Sequence, residues 1–187
     1  MVKISLFGLA GTGTSSVGKL LAEKRGYIFY SSGNIFREMA SERGIDLYKF
    51  GKLCEKEPQI DMELDKRVEK FGKTNDDFII DSRLAWHFIP DSIKIKLSCS
   101  DEIRMNRVSS RDGISFDDAK KKTIEREKSE KIRYYNYYKI KDYTDDKHFD
   151  LVIDTSNISI EEVSRKIEVF VIKKLLEWNI EDELEIK

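Results

Sequence analysis

The chain has 187 residues, of which 40% are hydrophobic and 37% charged, so it is long and apolar enough to bury the core of one domain. Its 34 basic and 35 acidic side chains nearly cancel, which argues against a disordered chain and gives no overall charge for binding DNA or membranes. Two distant cysteines, Cys54 and Cys99, argue against a disulfide scaffold or a zinc site. The sequence has no signal-type segment and no apolar run that could span a bilayer, so we expect a cytoplasmic protein.

Five short apolar runs predict β-strands at residues 2–7, 27–30, 78–81, 93–99 and 151–154. Charged segments with apolar residues at helical spacing lie between them; Val17, Leu20 and Leu21, for example, share one face of a helix. Near-continuous apolar strands that alternate with helices are typical of a parallel sheet covered on both faces. We therefore expect one α/β domain over residues 1–187, built on a doubly wound, five-stranded parallel sheet.

Two segments are too long to be simple crossovers between strands. Residues 32–73 follow the second strand and contain several helix signals, including Pro58 at the start of an amphipathic stretch. Residues 112–147 follow the fourth strand and contain DDAKKKTIEREKSEKIRYYNYY, which predicts a helix with a mostly polar surface. This helix is either a solvated arm, in which Glu127 and Glu130 pair with nearby basic residues, or a cover that closes over a charged ligand. Residues 181–187 are expected to form a solvated tail.

The sequence GLAGTGTSS begins at Gly8, directly after the first predicted strand, and runs into a predicted helix. In that context a glycine-rich turn aims backbone N–H groups at a phosphate, and Gly11 and Gly13 permit the backbone angles that the turn needs. Ser15 stands where the pattern G-x-x-x-x-G-K-[ST] places a magnesium-binding hydroxyl, whereas Thr14 stands where that pattern has lysine. A glycine-rich turn without a ligand is the alternative, and it leaves the hydroxyl residues unexplained.

Polar residues follow two further predicted strands. Asp81 and Arg83 end the third strand, where an aspartate can hold water on Mg²⁺ and an arginine can bind a phosphate with two hydrogen bonds. Ser32 and Arg37 follow the second strand in the same way. Because ligands collect at the carboxyl ends of parallel strands, these residues are candidates for an anion site. A surface turn at Asp81 and simple helix capping by Ser32 are the alternatives.

The chain resembles the nucleoside monophosphate kinases, most closely the archaeal-type cytidylate (CMP/dCMP) kinases. Six segments carry the resemblance in order: GLAGTGTSSVGKLLAEKRG, SSGNIFREMASERG, IDMELDKRVEKF, IIDSRLAW, TIEREKSEKIRYYNYY and DLVIDTSNISIEEV. The resemblance implies a P-loop kinase fold with a helical acceptor-binding insertion at about 32–73 and a helical lid at about 112–147. Ser82 departs from the family's third-strand turn, which often has glycine at that position.

The resemblance also implies a reaction and a set of site residues. ATP is the implied phosphoryl donor with Mg²⁺, and the implied substrates are small nucleotides. We also expect a monomer that binds neither nucleic acid nor membrane. Residues implied for the donor are Gly8, Gly11, Thr12, Gly13, Thr14, Ser15, Ser16 and Arg111. Residues implied for the acceptor are Ser32, Arg37, Asp61, Asp65 and Arg83. The implied catalytic cations are Arg83, Arg107, Arg126 and Arg133, and the Mg²⁺ ligands are Ser15 and Asp81.

Other functions remain open from the sequence. A kinase could take another acceptor, such as AMP, UMP or a non-nucleotide like shikimate, although SSG-x-IFRE argues against the last. The absence of the P-loop lysine, with Thr14 in its place, is also compatible with a nucleotide-binding module that lacks phosphotransfer. Nucleic-acid binding is less favoured, because the tyrosines of YYNYY lie among mixed charges rather than on a basic surface.

Overall fold

The structure is a computed structural model, which describes the backbone of residues 1–185 and the side chains of residues 1–178. Within that range, strands and helices alternate as the sequence predicts. The strands are β1 (Lys3–Gly8), β2 (Ile28–Ser31), β3 (Phe78–Asp81), β4 (Ile93–Ser98) and β5 (Leu151–Asp154). The helices are α1 (Thr14–Arg25), α2 (Ser32–Glu42), α3 (Leu47–Lys56), α4 (Pro58–Thr74), α5 (Ala85–Phe88), α6 (Asp101–Asp112), α7 (Phe116–Tyr138) and α8 (Ile160–Glu185).

All five strands are parallel and are ordered β2-β3-β1-β4-β5, which confirms the predicted sheet. β1 lies in the centre, where Leu6 is in register with Asp81 of β3 on one side and Ile95 of β4 on the other. The chain leaves β1 for one edge of the sheet and later continues on the opposite side of β1. Such a change of direction opens a crevice at the carboxyl ends of the central strands, and the site is expected there.

Helices cover both faces of the sheet. Val17 of α1 and Ile167 of α8 pack against Leu6 in the main core cluster. On the other face, Val68 of α4 packs against Ile80 of β3. The central strands β1 and β3 are therefore buried on both sides, which explains why they are largely apolar in the sequence. β2, β4 and β5 keep partly exposed positions, and β4 alternates buried apolar residues with half-buried polar ones.

Helices α2, α3 and α4 form the segment between β2 and β3, which we call the insertion. They share a small core of their own, in which Phe36, Phe50, Cys54 and Leu64 are buried together. Phe36 and Phe50 are in direct ring contact, with centroids 4.6 Å apart. The insertion therefore has apolar packing that can hold its helices in place next to the sheet.

Helix α7 differs from the solvated arm that was one of the two expectations. It packs against α3 of the insertion and against α6, and it buries Glu130, Arg133 and Tyr134 in its second half. Burial of charged side chains is unfavourable unless each one has a partner of opposite charge. Glu130 and Arg133 each have a partner on another element, Arg83 and Asp61, and Glu130 also pairs with Arg126 on α7 itself; all of these residues line the candidate site.

Helix α8 continues through Glu185, so the backbone of residues 181–185 is helical where a tail was expected. The last two positions of that expected tail, 186 and 187, lie outside the described residues. Across the part of the chain that the structure describes, no helix has both the length and the apolarity needed to cross a bilayer.

Candidate active site

The turn between β1 and α1 has the conformation that its glycines predict. Gly11 and Gly13 have φ values of +87° and +95°, in the left-handed region that side chains disfavour. Gly11 also needs its small size, because a Cβ there would lie 2.3 Å from the carbonyl oxygen of Arg104. No side chain among the described residues caps α1, so the N–H groups of its first turn are free to bind an anion.

Three hydrogen bonds hold this turn in place, one within the turn and two from other segments. The Thr12 hydroxyl donates to the carbonyl oxygen of Leu9 at 2.8 Å, and Thr155 donates to the carbonyl oxygen of Thr12 at 2.9 Å. Arg107 Nη1 lies 3.3 Å from the carbonyl oxygen of Gly11, to which it donates. Thr12 is buried inside the turn, where its side chain helps to fix the shape of the turn.

Ser15 and Asp81 meet at the mouth of the turn. The Ser15 hydroxyl donates to Asp81 Oδ2 at 2.5 Å, and Asp81 lies at the end of β3 beside β1. Ser32 contacts the same strand end, since its hydroxyl donates to the carbonyl oxygen of Asp81 at 3.4 Å. The expected alternative role for Ser32, capping of α2, is wrong, because the side chain of Ser31 accepts the capping hydrogen bond from Asn34.

Glu130 of α7 joins two of the predicted arginines. Its carboxylate accepts from Arg83 Nε at 3.2 Å and from Arg126 Nε at 2.9 Å. Arg83 Nη1 also donates to the carbonyl oxygen of Gly8, at the end of β1. Although burial alone would raise the pKa of Glu130, Arg83 and Arg126 hold it at about 2. Glu130 is thus an anion that fixes both arginines at the cleft.

Two further arginines, Arg37 and Arg111, also line the cleft, and among the described residues Arg37 has no hydrogen bond to a carboxylate. Burial lowers the pKa of Arg37, and the positive charges of Arg111 and Arg126 lower it further. Arg37 Nη2 donates to Asn34 Oδ1, whereas Arg111 makes two hydrogen bonds to Asp112 at 2.7 and 3.0 Å. Mutual repulsion among these cations would be relieved by a bound anion, which is the property of a phosphate-binding wall.

Asp61 and Asp65 of α4 are tied to helix α7. Arg133 Nη1 donates to both carboxylate oxygens of Asp61, and both side chains are almost inaccessible to solvent. Tyr138 donates to Asp65 Oδ2 at 2.6 Å. Burial raises the pKa of Asp65 to about 7, although the hydrogen bond from Tyr138 acts in the opposite direction. The insertion and α7 are therefore joined through polar groups at the floor of the cleft.

These elements enclose a single cleft of about 640 Å³ at the carboxyl ends of the strands. It is lined by every predicted site residue except Gly8, which lies behind it and accepts from Arg83. The structure thus brings together the residues expected for donor, acceptor and metal. The individual role of each residue stays a prediction.

Comparison with known proteins identifies the family. A profile of the cytidylate kinase-like family matches residues 3–157 of the chain. The chain belongs to the cytidylate kinase-like family. It is 45% identical over 158 residues to a cytidylate kinase of Methanosarcina mazei, a match that covers 82% of this chain and 87% of that protein. It is 42% identical over 153 residues to the cytidylate kinase of Methanococcoides burtonii, with the same coverage.

Solved structures support the fold of this cytidylate kinase-like protein. Shikimate kinase from Acinetobacter baumannii superimposes with a TM-score of 0.61, covering 93% of this chain and 94% of that chain. Sequence identity in that comparison is 17%, so the likeness concerns the fold alone. It confirms the P-loop kinase-type α/β fold that the sequence predicts.

Two residues that line the cleft, Thr155 and Glu130, are not among the site residues that the sequence predicts. Thr155 follows the last strand, and the rule that ligands collect at strand ends could have singled it out. Glu130 gave no such signal, because its pairing with Arg126 on the same helix is the ordinary helical spacing and its pairing with Arg83 is long-range. Glu127 was expected to pair with nearby basic residues in the same segment, but it binds Arg104 of α6 at 2.6 Å.

Proposed function

We propose that the protein transfers the γ-phosphoryl group of ATP to CMP or dCMP. The observation that carries the proposal is the cleft itself, in which a chain of the cytidylate kinase-like family places a phosphate-binding turn opposite a wall of arginines. A nucleoside monophosphate kinase needs both surfaces, because it binds the phosphates of two nucleotides and brings them together. The choice of cytosine is supported by the names of the relatives, which are cytidylate kinases.

On the donor side, the N–H groups at the start of α1 would hold the phosphates of ATP. Ile158 and Val163 line the same cleft beyond the phosphate-binding turn and offer an apolar surface for the adenine ring. The oxygens of Ser15 and Asp81 lie side by side at the turn and fit a hard cation such as Mg²⁺, which takes oxygen ligands. When bound, Mg²⁺ would supply positive charge to the phosphate oxygens.

On the acceptor side, the attacking atom is a phosphate oxygen that is already anionic at neutral pH, so the reaction needs no general base. The protein's task is to orient the two phosphates, neutralise the charge between them and exclude water. Arg83 and Arg37 would bind the acceptor phosphate, while Arg107, Arg111 and Arg126 would approach the transferred group. These arginines would replace the lysine that a typical P-loop has in the position of Thr14.

The carboxyl groups of α4 would face the acceptor nucleoside. Asp61 and Asp65 line the cleft, and so does Arg133, which we retain as a cation of the site. Its pairing with Asp61 neutralises part of its charge, so its contribution to phosphoryl transfer is expected to be smaller than that of Arg126. We further propose that the enzyme works as a monomer on free nucleotides in the cytoplasm.

One alternative also has an observation in its favour. Thr14 offers no cation, so a protein of this kind could bind ATP and not transfer its phosphoryl group. A kinase with AMP or UMP as its acceptor would use the same phosphate contacts and differ only at the base.

A coupled assay with ATP, Mg²⁺ and each acceptor in turn tests the proposal. We expect a higher kcat/KM for CMP and dCMP than for UMP, AMP or GMP. An equal or higher value for AMP would overturn the base assignment and leave the kinase class intact. Binding of ATP without turnover of any monophosphate, measured by calorimetry, would establish the binding module instead.

A further inference from the structure

One of the most deeply buried charges of the cleft belongs to a residue for which the proposed reaction has no direct use. Glu130 has 3% of its side chain exposed, lines the cleft, and lies among Arg83, Arg126 and Arg133. A carboxylate in that position repels the phosphates that the cleft is built to bind. Its presence among the arginines therefore requires a physical reason.

The contacts of Glu130 show which edge of each arginine it uses. Arg83 and Arg126 each donate from Nε, at 3.2 and 2.9 Å, and Tyr143 lies 3.4 Å from the same carboxylate. The guanidinium of Arg126 also lies over the ring of Phe36, 6.0 Å from its centre. Glu130 therefore binds the Nε atom of Arg126, and the ring of Phe36 contacts one face of its guanidinium. Its two Nη groups have no hydrogen-bond partner among the described residues, so they can donate to a ligand.

We propose that Glu130 is a positioning residue. It holds Arg83 and Arg126 by their Nε atoms, so that Nη2 of Arg83 and both Nη groups of Arg126 are left for an anionic ligand, while Nη1 of Arg83 stays on the carbonyl oxygen of Gly8. Its negative charge also weakens the binding of phosphate in the ground state. An unanchored arginine must lose side-chain freedom each time it binds a ligand, and an anchored one has already lost it. The negative charge also reduces ground-state attraction between the arginines and phosphate. Binding in the ground state does not increase kcat, so weakening it is compatible with fast turnover.

The inference rests on the proposed function only for its effect on turnover, since the effect on anion binding can be measured without any reaction. Glu130→Gln keeps the shape and removes the charge. We expect inorganic phosphate to bind this variant on the order of tenfold more tightly, as measured by calorimetry, because one like charge has left the cleft. We also expect kcat for CMP to fall on the order of tenfold or more, with KM unchanged or lower.

Two further variants separate the effect of the charge of Glu130 from the effect of its side-chain length. Glu130→Asp keeps the charge but is one methylene shorter, so it cannot hold both arginines; its kcat should fall with no gain in phosphate affinity. Glu125→Gln makes the same charge change on the same helix away from the cleft and should resemble wild type. Thermal unfolding of each variant shows whether the fold is kept, and the aspartate variant decides the positioning role if the glutamine variant does not fold.

The outcomes are distinguishable. Tighter phosphate binding together with slower turnover in Glu130→Gln supports the proposal. A phosphate affinity equal to or weaker than that of wild type overturns it, and so does a kcat within threefold of wild type. If wild type turns over no monophosphate, the proposed function fails, while the phosphate titration still decides whether Glu130 restrains anion binding.

Discussion

The two walls of the cleft are built in different ways. One wall is the turn that starts at Gly8, where backbone N–H groups are free to bind an anion and local glycines fix the conformation. The opposite wall is helix α7, where buried side chains such as Glu130 and Arg133 are held by partners that lie about 50 to 70 residues away in sequence. The first wall depends on its own sequence, and the second depends on the whole fold.

This difference determines how each wall should respond to mutation. A wall made of backbone is insensitive to most side-chain changes that leave its glycines in place. A wall made of buried ion pairs is sensitive to the loss of any single partner, because the remaining charge is left without compensation in a medium of low polarity. The predictions below test this contrast, beginning with the largest expected effect.

Asp61→Ala should lower the free energy of unfolding by about 3–5 kcal/mol, because it leaves the buried charge of Arg133 without a carboxylate partner. The measurement is urea unfolding at neutral pH. Glu63→Ala, on the same helix, is the matched control, since it removes an exposed ion pair with Arg67 and should change stability by less than about 1 kcal/mol. Equal losses in the two variants would show that burial of the Asp61 pair has no energetic consequence.

Arg126→Ala should reduce kcat about a hundredfold, because Arg126 is the lid-side cation with unpartnered Nη groups among the described residues and Thr14 supplies no charge. Arg126→Lys keeps the charge but loses the planar guanidinium that Glu130 holds, so its kcat should lie between those of wild type and Arg126→Ala. Steady-state kinetics with ATP and CMP provides the test. Lys128→Ala, an exposed position two residues along the same helix and on its opposite face, serves as the control. A similar fall there would assign the effect to the helix rather than to Arg126.

Asp65 should make stability depend on pH. Its pKa is about 7 in the fold and about 4 in the unfolded chain, so between these values only the folded state keeps the proton. Stability contributed by this group therefore falls as pH rises through that window, by up to about 1.4 kcal/mol per pH unit, and is level outside it. Asp65→Asn lacks the proton equilibrium, so its stability relative to wild type should increase from pH 5 to pH 7.

Urea unfolding of wild type and Asp65→Asn at four pH values checks this difference, in which the titration of all other groups cancels. Tyr138→Phe adds a second test, because the hydroxyl of Tyr138 lowers the pKa of Asp65 and its removal should move the transition to higher pH. A stability gap that is constant with pH would mean that Asp65 is ionised in the fold throughout the range.

The contrast between the walls also explains what could be read from the sequence. The strands, the turn and the strand-end residues Asp81 and Arg83 follow from local patterns and from the rule for parallel sheets, and the structure places them as expected. The resemblance predicts Arg133 to be a catalytic cation, and nothing near it in the sequence indicates that its side chain is buried in an ion pair. Its buried pairing with Asp61, 72 residues away, joins two segments whose contact no local pattern encodes.

Thr14→Ala should have the smallest effect, a fall in kcat of less than about fivefold, which is the range for one neutral hydrogen bond. Thr14 is buried at the start of α1 and lines the cleft, yet the backbone of the turn is fixed by Gly11 and Gly13 and by the bonds of Thr12. Its hydroxyl has no charge to lose, and the arginines of the opposite wall would supply the cation. The test is to measure kcat for Thr14→Ala and Arg126→Ala under the same conditions. A hundredfold fall in kcat for Thr14→Ala would show that the essential side chain lies in the turn after β1 and not on helix α7.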